Sequence, residues 1–300
     1  MTEVKPLDAD TTPVWRDLKM TTRDGIRLHA RHYPAPGSTR RPVLCLAGLT
    51  RNSRDFHVIA TALSGDGPEQ REVFTLDSRG RGGSDYSSSW KDYAVPIEML
   101  DVQDFMAAHQ LHGTGILGTS RGGMITMVMA AAQPSLIGAV VLNDIGPVIE
   151  YEGLARIAGY VGKTPTPRTW PDAARQVEMA NAPYFPSVST EEWSAVARQF
   201  FNESNGSPAP GYDPLISRGF SLGDGPIPEL WPQFLALKNV PCMVVRGSHS
   251  DLLGAETVRK MQERHPNCNA ITVDGQGHAP LLRDTSTINA IKAFFLENDL

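Results

Sequence analysis

The sequence predicts an α/β fold in which helices cover both faces of a mostly parallel, eight-stranded sheet. Short apolar runs alternate along the chain with helix-competent stretches, and nearly every residue in several of these runs is apolar. Such strands are typical of parallel sheets, which are buried on both faces. One run leads through the tight turn Gly118-Thr119-Ser120-Arg121-Gly122 directly into a helical stretch. This alternation favours repeated right-handed crossover units.

The first two predicted strands form an antiparallel hairpin at one edge of the sheet. Residues 18–22 and 26–32 alternate between apolar and polar side chains, and they flank Arg23-Asp24-Gly25. An Asp-Gly turn between two alternating runs is a strong hairpin signal. We interpret His29 and His32, which lie in the second run, as surface residues.

The other predicted strands are short apolar runs, and glycine or polar residues follow most of them. They lie at residues 42–47, 73–76, 115–117, 137–142, 241–245 and 270–273. Helical spacing of apolar residues predicts helices from about residue 53 and at 95–109, 124–132, 255–265 and 286–296. Open α/β sheets place their functional sites at the carboxyl ends of the strands, so the loops that follow these strands are where we expect a site.

The pattern changes between residues 146 and 240. Twelve of the 23 prolines and three of the five tryptophans lie in this segment. Short helical stretches remain, but no convincing strand does. We interpret residues 146–240 as a helical cap inserted into an α/β core, whose two parts are residues 1–145 and 241–300. A loosely packed surface excursion is the alternative interpretation.

The segment around Ser120 has the strand, turn, helix pattern of a nucleophile elbow. Such a turn holds a serine hydroxyl above the carboxyl edge of a parallel sheet. It also brings the backbone on both sides of the serine close together, so Gly118 and Gly122 have room for almost no side chain. The pattern Gly-x-Ser-x-Gly is short and occurs by chance, so other residues have to support a catalytic interpretation.

Two further residues make Ser120 a candidate nucleophile. Asp251 lies in the loop after the strand at 241–245, and His278 lies in the loop after the next strand. An imidazole can take the proton of a serine hydroxyl, and a carboxylate on the other ring nitrogen fixes the tautomer of the ring. We predict a triad of Ser120, His278 and Asp251, with Asp144, at the end of another strand, as the alternative acid.

In its Gly-x-Ser-x-Gly turn and in the chain order Ser, Asp, His, the sequence resembles the α/β-hydrolase fold superfamily, in particular members with a helical cap. The loop at residues 77–85 is similar to the Asp-x-Arg-Gly-x-Gly-x-Ser loop of that family. The resemblance covers roughly residues 18–295. It implies an oxyanion hole made by the backbone NH groups of Leu49 and Arg121. Where the family usually has His-Gly after its third strand, this chain has Ala47-Gly48.

Two arginines and four aromatic residues are candidate substrate-binding groups. Arg121 follows the nucleophile, and Arg51 opens the helix after the Gly48 loop. A guanidinium group at either position could bind a substrate carboxylate through paired hydrogen bonds, or acidic neighbours could hold it in an ion pair. Aromatic residues of the predicted cap that could form an apolar pocket wall are Trp170, Tyr184, Phe185 and Trp193.

These residues predict a serine esterase or related hydrolase that cleaves a small ester, lactone or thioester through an acyl-enzyme. The sequence has no His-Glu-x-x-His, cysteine cluster or Gly-x-x-x-x-Gly-Lys motif, so we expect neither a metal nor an organic cofactor. Three alternatives stay open: hydrolysis of a carbon–carbon bond in a ring-cleavage diketone, acyl transfer, and non-catalytic ligand binding. Related dehalogenases and epoxide hydrolases have aspartate at the elbow, so Ser120 argues against both.

Charge and composition restrict the expected partners. The net charge is −5 and the sequence pI is about 5.9, which gives no reason to expect nucleic acid or an anionic membrane as a partner. No apolar run approaches about 18 residues, and residues 1–13 lack the basic and apolar regions of a signal peptide. We expect a cytoplasmic protein with a small-molecule substrate, and a homodimer stays open. The three cysteines are expected to be reduced and buried.

Overall fold

A computed structural model describes residues 14–65, 67–163, 165–219 and 228–299 of the chain. The predicted features at residues 1–13 and the part of the predicted cap at 220–227 lie outside the described residues. The strands are β1 (Arg16–Thr21), β2 (Arg27–Tyr33), β3 (Val43–Leu46), β4 (Val73–Leu76), β5 (Thr114–Thr119), β6 (Ile137–Asn143), β7 (Asn202–Ser204), β8 (Ser207–Ala209), β9 (Cys242–Gly247) and β10 (Cys268–Val273).

The helices lie between these strands and after the last of them. They are α1 (His57–Ser64), α2 (Val95–Ala108), α3 (Arg121–Ala132), α4 (Tyr151–Tyr160), α5 (Trp170–Asn181), α6 (Thr190–Phe200), α7 (Trp231–Leu235), α8 (Ala255–Arg264) and α9 (Thr285–Glu297). Among the residues that the structure describes, no helix combines the length and the apolar character needed to cross a membrane.

The main sheet has eight strands in the spatial order β1-β2-β4-β3-β5-β6-β9-β10. Strand β2 pairs antiparallel with both β1 and β4, and every other neighbouring pair of this sheet is parallel. In the turn of the edge hairpin, Gly25 has a φ of 90°, a conformation that favours glycine. The predicted hairpin and the predicted mostly parallel eight-stranded sheet are therefore confirmed.

The central strands send alternate side chains into two buried apolar clusters, one on each face of the sheet. In β3, Leu44 and Leu46 belong to the cluster that α2, α3 and α8 cover, whereas Val43 and Cys45 belong to the cluster that α1 and α9 cover. Successive side chains of a strand point to opposite faces, so a strand with helices on both sides needs apolar residues at every position. This explains the continuous apolar runs, and the prediction of helices on both faces is confirmed.

The segment predicted as a cap begins with the three helices α4, α5 and α6. Helices α5 and α6 enclose a small apolar cluster of their own around Trp193, whose exposed fraction is 1%. Further along, Phe234 of α7 and Leu237 pack in the same main cluster as α3. The residues just before β9 are thus part of the main core, and a cap over the whole of 146–240 stays a prediction.

The expectation that this segment contains no strand is wrong. Strands β7 and β8 pair antiparallel and are joined by Asn205 and Gly206, which have φ values of 48° and 77°. Two successive residues with positive φ are typical of the tight two-residue hairpin turn, for which Asn-Gly is the preferred sequence. The strands were missed because each has only three residues and their sequences, Asn-Glu-Ser and Ser-Pro-Ala, have little strand propensity.

Candidate active site

Ser120 lies at the turn between β5 and α3 in a strained backbone conformation. Its φ is 51° and its ψ is −114°, outside the regions that residues with a side chain usually adopt. The surrounding contacts hold it there: its backbone NH donates to the carbonyl oxygen of Asn143 at 3.0 Å. A methyl group at Gly122 would overlap the backbone of Leu46, and one at Gly118 would lie 2.7 Å from the Cα of Gly123. The two glycines therefore permit the close packing that the elbow pattern predicts.

The imidazole of His278 connects Ser120 to a buried carboxylate. Its Nε2 lies 2.9 Å from the Oγ of Ser120, and its Nδ1 lies 2.8 Å from Oδ2 of Asp144. A carboxylate only accepts hydrogen bonds, so Nδ1 carries the proton that it donates to Asp144, and in the neutral ring Nε2 accepts from the serine hydroxyl. This is the arrangement in which an imidazole can take the serine proton.

Asp144 is fully buried and held by three hydrogen-bond donors. Besides His278, the backbone NH of Gly247 donates to Oδ1 at 2.8 Å, and the hydroxyl of Ser250 donates to Oδ2 at 2.6 Å. The residue follows β6 directly, with a φ of 56°. Three donors fix both oxygens, and they compensate for the loss of water around a buried charge.

The prediction that Asp251 is the partner of His278 is wrong, because its carboxylate is held by Arg156. Nε of Arg156 donates to Oδ2 at 2.5 Å, and Nη2 donates to Oδ1 at 2.9 Å. Burial raises the pKa of Asp251, but the guanidinium of Arg156, with a smaller electrostatic contribution from His278, outweighs burial and the net shift is downward. Asp251 follows β9 as expected, yet β6 lies beside the strand of the nucleophile and β9 lies one strand further away. The alternative acid of the sequence analysis, Asp144, therefore has the predicted geometry.

The backbone near Ser120 offers the two NH groups that the family resemblance implies. Leu49 lines the same cavity as Ser120 and His278, and Cβ of Ser120 would lie 3.7 Å from a methyl group placed on Gly48. Arg121 is the first residue of α3, where backbone NH groups have no partner within the helix and the helix dipole favours negative charge. The role of both groups as an oxyanion hole stays a prediction.

Of the two alternatives for Arg121, the structure has the ion pair with an acidic neighbour and not a guanidinium group directed at a substrate. Its Nε donates to Oε2 of Glu98 at 2.5 Å, its Nη2 donates to the carbonyl oxygen of Tyr93, and it is not among the residues that line the cavity. Arg51 does line the cavity, but Asp55 holds its Nε and Nη2 at 2.8 and 2.5 Å. Its guanidinium carbon also lies 3.3 Å from the ring centre of Phe200. Of the two guanidinium groups, only that of Arg51 is beside the cavity, where an ion pair already balances its charge.

The cavity beside Ser120 has a volume of about 290 Å³, and helices α4, α5 and α6 contribute one part of its wall. Of the four predicted aromatic residues, Phe185 and Trp193 line it, whereas Trp170 and Tyr184 do not. Trp170 donates from Nε1 to the carbonyl oxygen of Gly206 at 3.1 Å, so it caps the β7–β8 turn. The ring of Tyr184 instead packs under the guanidinium of Arg156 at 4.7 Å.

Several cavity residues on the three helices were not predicted from the sequence. They are Ile157, Tyr160, Val177, Val196 and Phe200. The amphipathic spacing of these helices could have identified their buried faces, but it does not show whether a buried face packs against the core or lines a cavity. Within the described ranges, no group of three or more His, Cys, Asp or Glu residues is arranged to hold a metal ion.

Comparisons with known proteins are consistent with this geometry. A family model for the alpha/beta hydrolase fold matches residues 41–285. The chain is 30% identical over 283 residues to a 3-hydroxybutyrate-oligomer hydrolase from Cupriavidus necator, which covers 90% of this chain and 94% of the relative. It is 26% identical over 241 residues to a 2-(acetamidomethylene)succinate hydrolase from Mesorhizobium japonicum, covering 79% and 81% of the two chains.

A crystal structure from Novosphingobium aromaticivorans extends the similarity to the whole architecture. It is an alpha/beta hydrolase that superposes with a TM-score of 0.88 at 38% sequence identity, covering 95% of this chain and 99% of that one. Because it covers 95% of this chain, the match includes most of residues 146–240 as well as the sheet.

Proposed function

Because the chain belongs to the alpha/beta hydrolase family, we propose that it is a serine hydrolase that cleaves small carboxylic esters through an acyl-enzyme. The observation that carries the proposal is the continuous hydrogen-bonded chain from Ser120 through His278 to Asp144. Hydrogen-bonded in this order, a hydroxyl, an imidazole and a carboxylate are the parts that activate a serine for attack on an acyl carbon.

The reaction follows from the positions of these groups. Oγ of Ser120 attacks the ester carbonyl carbon while Nε2 of His278 takes the hydroxyl proton, and the buried carboxylate of Asp144 stabilises the imidazolium that forms. The NH groups of Leu49 and Arg121 donate to the oxygen that becomes negative. The imidazolium then protonates the leaving alcohol, and a water molecule, activated by the same ring, releases the carboxylic acid and restores Ser120.

Two observations support short esters of hydroxy acids as substrates. The relative from Cupriavidus necator, which is similar over nearly the whole chain, is named for the hydrolysis of 3-hydroxybutyrate oligomers. The cavity mixes apolar side chains with neutral hydrogen-bonding groups such as Asn181, Gln199 and Tyr212. Since Arg51 and Arg156 at the cavity wall are both ion-paired, these observations favour a neutral or weakly charged acyl chain over a strongly anionic one.

The test combines covalent labelling with turnover. A fluorophosphonate reagent should label the wild-type protein and should not label Ser120→Ala, and the variant should lose roughly 10⁴-fold or more in kcat. Dimers and trimers of 3-hydroxybutyrate should then be compared with p-nitrophenyl esters of increasing chain length. Labelling that persists in Ser120→Ala would contradict the proposed nucleophile, and turnover of a diketone but of no ester would favour carbon–carbon hydrolysis.

A further inference from the structure

A single buried carboxylate lies between the two chain segments that carry the proposed oxyanion donors. Glu98 is in the first turn of α2 and its exposed fraction is 1%. Its Oε1 accepts from Nη1 of Arg81, and its Oε2 accepts from Nε of Arg121 at 2.5 Å. One carboxylate therefore holds two guanidinium groups, one from the loop after β4 and one from the first residue of α3.

Arg81 extends this contact to the first donor segment. Its Nε donates to the carbonyl oxygen of Leu49 at 2.8 Å, and its Nη1 also donates to the carbonyl oxygen of Arg79 at 2.7 Å. The segment that contains Leu49 is a tight turn, closed by a hydrogen bond of 3.1 Å from the NH of Arg51 to the carbonyl of Gly48. The Leu49 carbonyl belongs to the planar peptide group next to the one that carries the Leu49 NH, and the carbonyl of that second group is the Gly48 oxygen that Arg51 binds, so both planes that flank Leu49 are held by hydrogen bonds.

Arg121 extends the contact to the second donor segment. Its backbone NH is the other proposed donor, and its side chain is fixed by Glu98 on one side and by the Tyr93 carbonyl on the other. Tyr93 is anchored in turn by a hydrogen bond of 2.5 Å from its hydroxyl to Asp213. Arg121 is therefore held in place by the hydrogen bonds of its side chain as well as by its position at the start of α3.

The charge of Glu98 is necessary for this arrangement. Burial by itself raises the pKa of a carboxyl group, but the guanidinium groups of Arg81 and Arg121 outweigh it and hold the pKa of Glu98 below its usual value. The carboxylate is therefore ionised at neutral pH, and both of its oxygens are occupied. Without that charge, two neighbouring guanidinium groups would repel each other in a place where water cannot screen them.

We propose that Glu98 is a positioning residue for the oxyanion hole, which sets the spacing of the Leu49 and Arg121 NH groups through Arg81 and the Arg121 side chain. The proposal rests on the proposed serine-hydrolase function. Electrostatic stabilisation of this type depends on donors that are fixed in place before the charge develops, so a small displacement lowers the rate without weakening the binding of the substrate.

The principal variant is Glu98→Gln, and Asp101→Asn is its matched control. Asp101 lies on the same helix, has an exposed fraction of 3%, and holds Arg79 through two hydrogen bonds of 2.5 and 2.6 Å. Each substitution replaces a buried, arginine-bound carboxylate by an amide, but the Asp101 side chain contacts neither Arg81 nor Arg121. We expect Glu98→Gln to lower kcat by about 10- to 100-fold with little change in KM. This loss is smaller than the loss of kcat when an oxyanion-hole donor is removed altogether. Asp101→Asn should retain the wild-type kcat.

A second pair of variants covers the case in which Glu98→Gln does not fold. Arg81→Lys keeps the positive charge but cannot contact both Glu98 and Leu49 in the same way, and Arg79→Lys makes the same change beside it. The first of these should lower kcat and the second should not. The proposal would be overturned if, in folded protein, Glu98→Gln had the same kcat as Asp101→Asn and Arg81→Lys had the same kcat as Arg79→Lys.

Amide NMR resonances separate this proposal from the proposed function. The resonances of Leu49 and Arg121 should shift in Glu98→Gln or Arg81→Lys and stay in place in the control variants, whether or not the protein hydrolyses esters. Unchanged resonances of both amides would overturn the positioning role. A wild-type protein that hydrolyses no ester and resists fluorophosphonate would instead contradict the proposed function, and the NMR result would still decide the role of Glu98.

Discussion

Asp144 and Asp251 both follow strands of the parallel sheet, and their different neighbours decide which of them contacts His278. The sequence could not separate them, because both lie at the carboxyl ends of strands and both are followed in the chain by His278. The structure separates them through strand order and through Arg156, which is 95 residues away from Asp251 in the chain. The docking of α4 that brings Arg156 there is a long-range event that no local pattern reveals.

Replacing Asp144 should impair catalysis far more than replacing Asp251. In Asp144→Asn the amide can donate to Nδ1, which favours the tautomer that can no longer accept the serine proton, so kcat should fall by roughly 10³- to 10⁴-fold. Asp251→Asn is the same chemical change at the other position, and its effect should be at least ten times smaller. Both variants should be compared by kcat/KM on one ester after their folding is checked by circular dichroism. The reverse ranking would return the role of acid to Asp251.

Among the elements, the longer and more regular ones could be predicted and the shorter or mutually dependent ones could not. The continuous apolar runs of β3 and β9 have only one stable environment, a sheet covered on both faces. The β7–β8 hairpin has no such run, although its Asn205-Gly206 turn was a usable signal. The expectation that His29 and His32 of β2 are surface residues is wrong. The exposed side-chain fraction of His29 is 15%, because Asp77 from the loop after β4 lies beside it. The fraction of His32 is 17%, and its ring stacks on that of Phe74.

His29 should make the stability of the protein depend on pH. Its Nδ1 lies 2.7 Å from buried Asp77 and its Nε2 lies 3.0 Å from Asp17. Burial lowers the pKa of His29, but the two carboxylates outweigh burial and the net shift is upward. A group whose pKa is raised by folding stabilises the fold fully below its unfolded pKa, about 6.5, and this stabilisation is lost as the pH rises through the folded pKa.

The measurement is the free energy of unfolding in urea between pH 5.5 and about 9 for the wild type and His29→Gln. The difference between the two should be constant below about pH 6.5 and should shrink at higher pH. His112→Gln, which removes an exposed histidine, is the control and should keep the wild-type pH dependence. A difference that grows with pH would show that His29 is neutral in the folded protein.

In the whole molecule, the proposed site lies where the carboxyl edge of the sheet meets helices α4, α5 and α6. The position of Ser120 and His278 could be predicted, because all parallel strands end at one edge and their loops converge there. The cavity wall could not, because it depends on how separate helices dock. Trp170 and Tyr184 looked like cavity residues by type, yet Trp170 packs against Arg198 and Tyr184 against Arg156. An aromatic residue in the sequence predicts a packing contact, but it does not identify the residue with which the contact is made.

If the three helices set the length of the acyl chain, a larger side chain in their wall should shorten the substrates that the enzyme accepts. Ile157 of α4 lines the cavity and has an exposed fraction of 7%. Ile157→Phe should reduce kcat/KM for a p-nitrophenyl hexanoate by about 10- to 100-fold relative to the acetate, because lost or added methylene contacts change selectivity by that amount. Leu154 lies on the same helix but outside the cavity wall, so Leu154→Phe should leave the ratio of kcat/KM for the two esters unchanged. A loss in Ile157→Phe that is equal for all chain lengths would show that the substitution disturbs the packing of α4, and that the acyl chain lies elsewhere.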